Sequence, residues 1–271
     1  MTSTSTAMSR ISLAFSKEKL FIPFITGGDP DLNKTKEFIL EMVKAGAGLV
    51  EIGIPFSDPI AEGPVIQEAN IRALESGTKV ELLFGLVEDL RQSSSVPEMT
   101  EIPLVFLTYL NPVHHYGYDA FFKRAGEAGL DGIIIPDLPF EEQGVVREAA
   151  SKYGIALISL IAPTSRERIK DIARVASGFI YLVSSMGVTG VRREITTDLS
   201  AITAAIREVS NIPVAIGFGI HTPKQAEEMS KIANGVIVGS AIVKIIAEHK
   251  ENSAKYLFNY VKEMKDAMHR G

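Results

Sequence analysis

The sequence predicts an α/β chain folded as a (β/α)8 TIM barrel. Three observations predict it. Short apolar runs, several rich in β-branched residues, recur eight times along the 271 residues, as expected of parallel strands buried on both faces. Amphipathic segments of helical period separate them. No GxGxxG follows the first run, which argues against the open doubly wound sheet, the other fold in which strands and helices alternate. A count of eight is the one that closes such a barrel.

The elements follow in order. The first residues, "MTSTSTAMSRIS", are rich in Ser and Thr and have no apolar stretch of signal-peptide type. Residues 1–8 read as a disordered tail, with an extra helix before the first strand. The eight strands are expected at 20–27, 49–56, 102–110, 131–137, 156–162, 179–185, 214–219 and 235–240. Helical period marks 31–46, 118–129, 141–154 and 165–177, several of them ending in Gly as helix C-caps do. Two further helices, at about 64–76 and 79–93, and the polar loop "QSSSVPEMTE" lie between strands two and three. No linker divides the chain, so residues 1–271 read as one domain.

Composition excludes several classes of function. The chain has no cysteine, which rules out thiol catalysis, disulfides and Cys-based metal sites. Its net charge of −5 and lack of a basic cluster argue against nucleic acid. No apolar run reaches the ~18 residues that a bilayer span needs. A soluble cytoplasmic protein is expected. Plastid import stays open, although the tail is short and holds one Arg.

In a TIM barrel the chemistry sits at the C-terminal ends of the strands. "EIGIPFSDPIAEGP", residues 51–64, stands out there. Strand alternation turns Glu51 with Gly53 and Pro55, and Val50 with Ile52 and Ile54, so Glu51 points into the barrel. Burial there raises a carboxyl pKa, which suits general acid/base work. No strand end brings a Lys or Arg to neutralise it. Glu62, eleven residues on, lies beside a helix opened by Pro64. It is either a second functional carboxylate or an acid favoured by the helix dipole. Asp58, before Pro59, reads as a turn residue.

"SSMGVTG", "GFGI" and "GS" at the ends of strands six, seven and eight bring glycines and Ser240 to the region where barrels bind phosphate. Phe24, Leu107 and Leu160, near other strand ends, suggest a substrate with a large apolar part. Tyr109, at the end of strand three, is a candidate pocket-lining residue, and Asp137 is a rim candidate. His114 and His115 cannot face the same way on a strand, so they read as loop residues rather than a metal pair; no metal site is expected.

"FIPFITGGDPD", "VEIGIPFSDPIAEGPVIQ", "TYLNP", "GIIIPDLPFEE", "YLVSSMGVTGVR", "VAIGFGI" and "GVIVGSAIVKII" together resemble the tryptophan synthase alpha subunit family, from about residue 20 to 250. The resemblance implies a lyase of tryptophan biosynthesis that cleaves indole-3-glycerol phosphate to indole and glyceraldehyde 3-phosphate by retro-aldol chemistry, without a cofactor of its own. It implies Glu51 as general acid/base and Glu62 as the second catalytic acid. Gly190, Gly219 and Gly239 with Ser240 then form the phosphate cradle, and Thr189 belongs to a closing loop. Phe24, Leu107, Leu160 and Tyr181 line the indole pocket. The implied partner is a pyridoxal-phosphate β subunit in an alpha2beta2 heterotetramer, contacted by the loops of Asp58 and Asp137 and by "YLNP". Two departures qualify the resemblance. The family's usual "ADGP" is "AEGP" here, one methylene longer, and the segment around Ser185 and Met186 looks closer to plant-type members. These suggest two alternatives: a stand-alone lyase that releases free indole, or a weakly active barrel acting as a β-subunit scaffold.

Overall fold

The computed structural model describes residues 8–184, 198–217 and 219–269. The expected tail, apart from Met8, lies outside them. The sheet is parallel throughout, with strands β1 (Leu20–Thr26), β2 (Val50–Gly53), β3 (Leu104–Leu107), β4 (Gly132–Ile134), β5 (Ala156–Leu157 and Ser159–Ile161), β6 (Ile180–Val183), β7 (Val214–Gly217) and β8 (Gly235–Val238). β5 lies where the sequence places it, but with a break that was not anticipated: it is two segments separated by Ile158. The first half pairs with β4, Gly132 opposite Ala156. The second pairs with β6, Leu160 opposite Tyr181. The remaining neighbours run β4–β3–β2–β1–β8–β7–β6, so the two halves of one bent strand close the TIM barrel.

Alternation along the strands sorts side chains into two cores. Leu20, Ile22, Leu49, Val105, Ile134, Ile158, Phe179, Tyr181, Ala215 and Ile237 fill the barrel interior. Their neighbours, among them Phe21, Ile25, Val50, Ile52, Phe106, Ile133, Leu182 and Ile216, pack outward against the helices. This two-sided burial is why the strands read as unbroken apolar runs. The helices begin as their sequences suggest: Ser9, Asp31, Ser165, Asp198 and Thr222 each accept a hydrogen bond from the backbone N–H three residues on. Gly129, at φ 87°, terminates the helix Tyr118–Ala128 in the left-handed conformation that glycine adopts freely.

The extra helices occur where expected, before β1 (Arg10–Lys17) and between β2 and β3 (Pro64–Glu75 and Val80–Arg91). One more, Leu110–Tyr116, was not foreseen. It takes in His114 and His115, which are therefore helical rather than loop residues, and the His114 ring nitrogen pairs with the Tyr118 hydroxyl at 3.2 Å. The helix Arg10–Lys17 closes the N-terminal end of the barrel. Ile11 is buried in the interior core, and Phe15 meets Phe179 with ring centroids 5.6 Å apart. Asp131, just before β4, accepts from Arg10 at 3.0 Å, from Arg91 at 2.5 Å and from the Leu104 backbone N–H at 2.8 Å. One carboxylate thus ties the closing helix, the inserted helix and β3 together.

Substituting Asp131→Ala would leave the nearly buried Arg91 guanidinium without its carboxylate. Losing one member of a buried pair costs about 3–5 kcal/mol, and urea unfolding of the two chains should show a loss of that order.

Candidate active site

Glu51 is the second residue of β2, in register with Phe24 of β1 and Val105 of β3. Its inward direction agrees with the alternation expected from sequence. It is 1% exposed, and its Oε2 has no hydrogen-bond partner among the described residues. Burial, and secondarily the charge of Glu62, push its pKa up to about 8. Above it the barrel mouth opens into a cavity of about 710 Å³, open mouth included, whose walls are mainly apolar.

Phe24, Glu51, Glu62, Leu107, Leu160, Tyr181, Gly219, Gly239 and Ser240 all line this cavity. The structure therefore brings together most of the residues that the sequence singled out. Tyr181 lies across β7: a Cβ placed on Gly217 would sit 2.4 Å from its hydroxyl, so that position has no room for a side chain. Burial and the neighbouring Glu51 hold the Tyr181 hydroxyl well above its ordinary pKa. At the other wall, Gly239 caps the helix Ser240–His249. The first N–H groups of a helix have no partner within it, and here that end opens onto the cavity beside Gly219. It is an arrangement suited to an anion.

Glu62 precedes Gly63, the N-cap of the helix Pro64–Glu75. The dipole reading predicts an exposed acid with a lowered pKa. Instead Glu62 is 7% exposed, and burial raises its pKa to about 7, against the lowering effect of a hydrogen bond from Asn70. That bond, from Asn70 Nδ2 to Glu62 Oε2, is 2.7 Å long. Desolvation outweighs that bond, and Glu62 lines the cavity. Glu62 loses its proton first. Its charge is then felt by Glu51, whereas Glu51 is still neutral while Glu62 titrates.

One expectation needs correcting, and others fall outside the described residues. Tyr109 does not line the cavity. It follows β3 as the N-cap of Leu110–Tyr116, stacks on Phe56 at 5.3 Å, and its hydroxyl accepts the Ala61 N–H at 2.9 Å. It supports the loop that carries Glu62. Asp137 is half-buried and accepts the Leu110 N–H at 2.9 Å, which fixes the loop after β4 to the start of that helix. Thr189 and Gly190, with Ser185 and Met186, lie outside the described residues. Asp58 is exposed and accepts from the Ser57 hydroxyl at 2.5 Å. Sequence reasoning missed Ala61, Ile66, Pro136, Ile220, Ile237 and Ala241 in the lining, and Asn70 behind Glu62. Ile66 and Asn70 lie on a helix outside the strand ends that were searched. Among the described residues no cluster of His, Cys, Asp and Glu could hold a metal ion, and no helix is long and apolar enough to cross a membrane.

The buried acids make stability depend on pH. With its pKa raised from 4.5 to about 8, folded Glu51 holds its proton more tightly than the unfolded chain does. Its contribution is complete below about 4.5 and is lost as pH rises through about 8. Between those limits Glu51→Gln should lose less thermal stability than the native chain, which melting curves across the range would measure.

The chain is similar along nearly its whole length to known proteins. The family model described as tryptophan synthase alpha chain matches residues 12–269. A tryptophan synthase alpha chain of Lacticaseibacillus casei is 48% identical over 261 residues, covering 96% of each chain. The crystal structure of that chain from Legionella pneumophila superposes with a TM-score of 0.86 at 36% identity, covering 97% of this chain and 98% of the other. A solved structure of the tryptophan synthase α2β2 complex from Pyrococcus furiosus matches with a TM-score of 0.82 at 38% identity, covering 92% of this chain and 98% of that one. These relatives do not favour the stand-alone lyase or the scaffold reading. With its closed barrel and two acids at one apolar mouth, the chain belongs to the tryptophan synthase alpha chain family, lyases that cleave indole-3-glycerol phosphate.

Proposed function

We propose that Glu51 and Glu62 carry the proton chemistry of this cleavage at the barrel mouth. The observation that carries the reading is two buried acids at different depths in one apolar cavity, Glu51 1% and Glu62 7% exposed; burial raises Glu62 to about 7 and, with the charge of Glu62, Glu51 to about 8. Between those values Glu51 is protonated and Glu62 is an anion. Neutral Glu51 gives its proton to the indole ring carbon that bears the glycerol chain. Positive charge develops on the ring nitrogen, and the Glu62 carboxylate accepts the N–H and stabilises it. Glu51, now a carboxylate, takes the proton of the adjacent glycerol hydroxyl. The carbonyl forms, the carbon–carbon bond breaks, and its electrons restore the indole ring. Glu51 ends protonated, as it began.

The remaining lining fits the rest of the substrate. Phe24, Leu107, Leu160 and Tyr181 offer an apolar slot for the ring, and Gly219, Gly239 and Ser240 with the helix terminus offer donors for the phosphate. Thr189 and Gly190 complete the cradle and the closing loop on this reading. The chain acts as one domain in the cytoplasm. Its partner is a β subunit that supplies pyridoxal phosphate for the following step, while cleavage runs on this chain's own carboxylates. The exposed loop of Asp58, with Ile60 at 76% exposure, is offered to that partner together with the loop of Asp137.

Glu51→Gln should reduce indole release from indole-3-glycerol phosphate by at least ~100-fold, the ordinary contribution of a general acid. Unchanged turnover in that variant would overturn the assignment. The kcat/KM of the native chain should rise with pH through about 7 as Glu62 ionises and fall above about 8 as Glu51 loses its proton. Adding a β subunit should raise turnover. Equal rates with and without it would remove the complex from this reading.

A further inference from the structure

We propose that Asn70 is a positioning residue: its side-chain amide aims the Glu62 carboxylate into the cavity and holds it as an anion. The effect on catalysis rests on the reading of Glu62 given above. Asn70 is 3% exposed and Glu62 7%, so their 2.7 Å bond forms away from bulk water. A buried amide donor favours the charged over the neutral form of its acceptor.

The same helix grips Glu62 twice. Gln67 Nε2 donates to the Glu62 backbone carbonyl at 2.8 Å, and Asn70 reaches the carboxylate. Residues three apart share a helix face, so one rigid element fixes both ends of the glutamate. The helix is itself anchored. Ala69 and Ala73 are fully buried. Arg72 forks onto the buried Asp29 of the loop after β1 at 2.8 and 2.7 Å, and the Ser76 hydroxyl donates to the Gly28 carbonyl at 3.1 Å. Asn70 therefore presents its amide from a fixed position.

The other titratable groups that face Glu62 among the described residues do not supply this effect. Glu51, from the barrel interior, is an acid whose own pKa is raised by burial and further by Glu62. Tyr109, behind the loop, is likewise raised by burial and by Glu62, with a further contribution from Asp137. Both respond to the negative charge of Glu62, and neither carries a compensating positive one. Without the Asn70 amide the carboxylate would be left to burial, which favours the proton.

The test uses the full chain labelled at the glutamate carboxyl carbons and the asparagine side-chain nitrogens, followed by NMR across pH. In the native chain the Asn70 amide should shift with the same midpoint as the Glu62 carboxyl. In Asn70→Leu, of similar shape but without a donor, the Glu62 midpoint should rise by about one pH unit. The ascending limb of kcat/KM should move with it, and activity at pH 7 should fall by about 5-fold. In the Glu62→Gln background, Asn70→Leu should add no further loss. An Asn70 amide that ignores the Glu62 titration overturns the proposal, as does an unmoved Glu62 midpoint or an additive pair of variants. The first measurement needs only the native chain, so it decides the matter even where a variant fails to fold. Failure of the underlying reading shows separately, as full turnover by Glu62→Gln, while the titrations still decide whether Asn70 holds the carboxylate.

Discussion

Closure of the parallel sheet through its bent fifth strand is the constraint on which the site depends. Because the two halves of β5 pair with β4 and β6, the sheet has no free edge there and an interior is defined. Parallel strands then deliver their C-terminal ends to one mouth. Alternation decides which residues enter it: Leu49 and Glu51 go inward, Val50 and Ile52 outward. A slip of one residue in β2 would bury Glu51 among the helices and turn Val50 inward. Apolar packing on both faces, rather than any contact of Glu51 itself, therefore fixes the acid's position.

That position carries an electrostatic consequence. An ion inside such a core loses its hydration, and Glu51 has no basic partner among the described residues to replace it. The least costly state keeps the proton on Glu51. Glu62 lies nearer the rim and gains a hydrogen bond, so it ionises first. Its charge then raises the cost of ionising Glu51 further. Two identical functional groups thus take different protonation states from their depth and from one hydrogen bond, and the difference is sharpened by their mutual repulsion. Tyr181, buried beside Glu51, stays a neutral phenol and serves as a wall.

Much of this was legible in the sequence because it depends on period and position. Alternation around Glu51 and the placing of Phe24, Leu107 and Leu160 at strand ends needed only the barrel. Tyr109 was misplaced because the apolar run 102–110 continues past the last pairing of β3 into a helix N-cap, and hydrophobicity does not mark where pairing stops. The same helix took in His114 and His115. The break at Ile158 was invisible, since a bent strand and a straight one share the same apolar pattern. Asn70 was invisible for another reason. It is a polar residue within an amphipathic helix, where exposure is the ordinary expectation, and only the docking of that helix against the loop after β2 turns it toward Glu62.

The longer acid at position 62 can be weighed in the same terms. Glutamate has one more side-chain torsion than aspartate, and fixing a buried glutamate costs up to about 1.5–2 kcal/mol of rotamer freedom. A hydrogen bond to a charged group returns about 1.5–3 kcal/mol. The bond from Asn70 is therefore of the size needed to offset the ordering of the longer side chain, and the grip of Gln67 on the backbone removes freedom at its other end. A free glutamate at the rim would sample conformations that point away from the cavity. Held by one anchored helix, it has a defined reach, and the extra methylene becomes a difference in length rather than a loss of order.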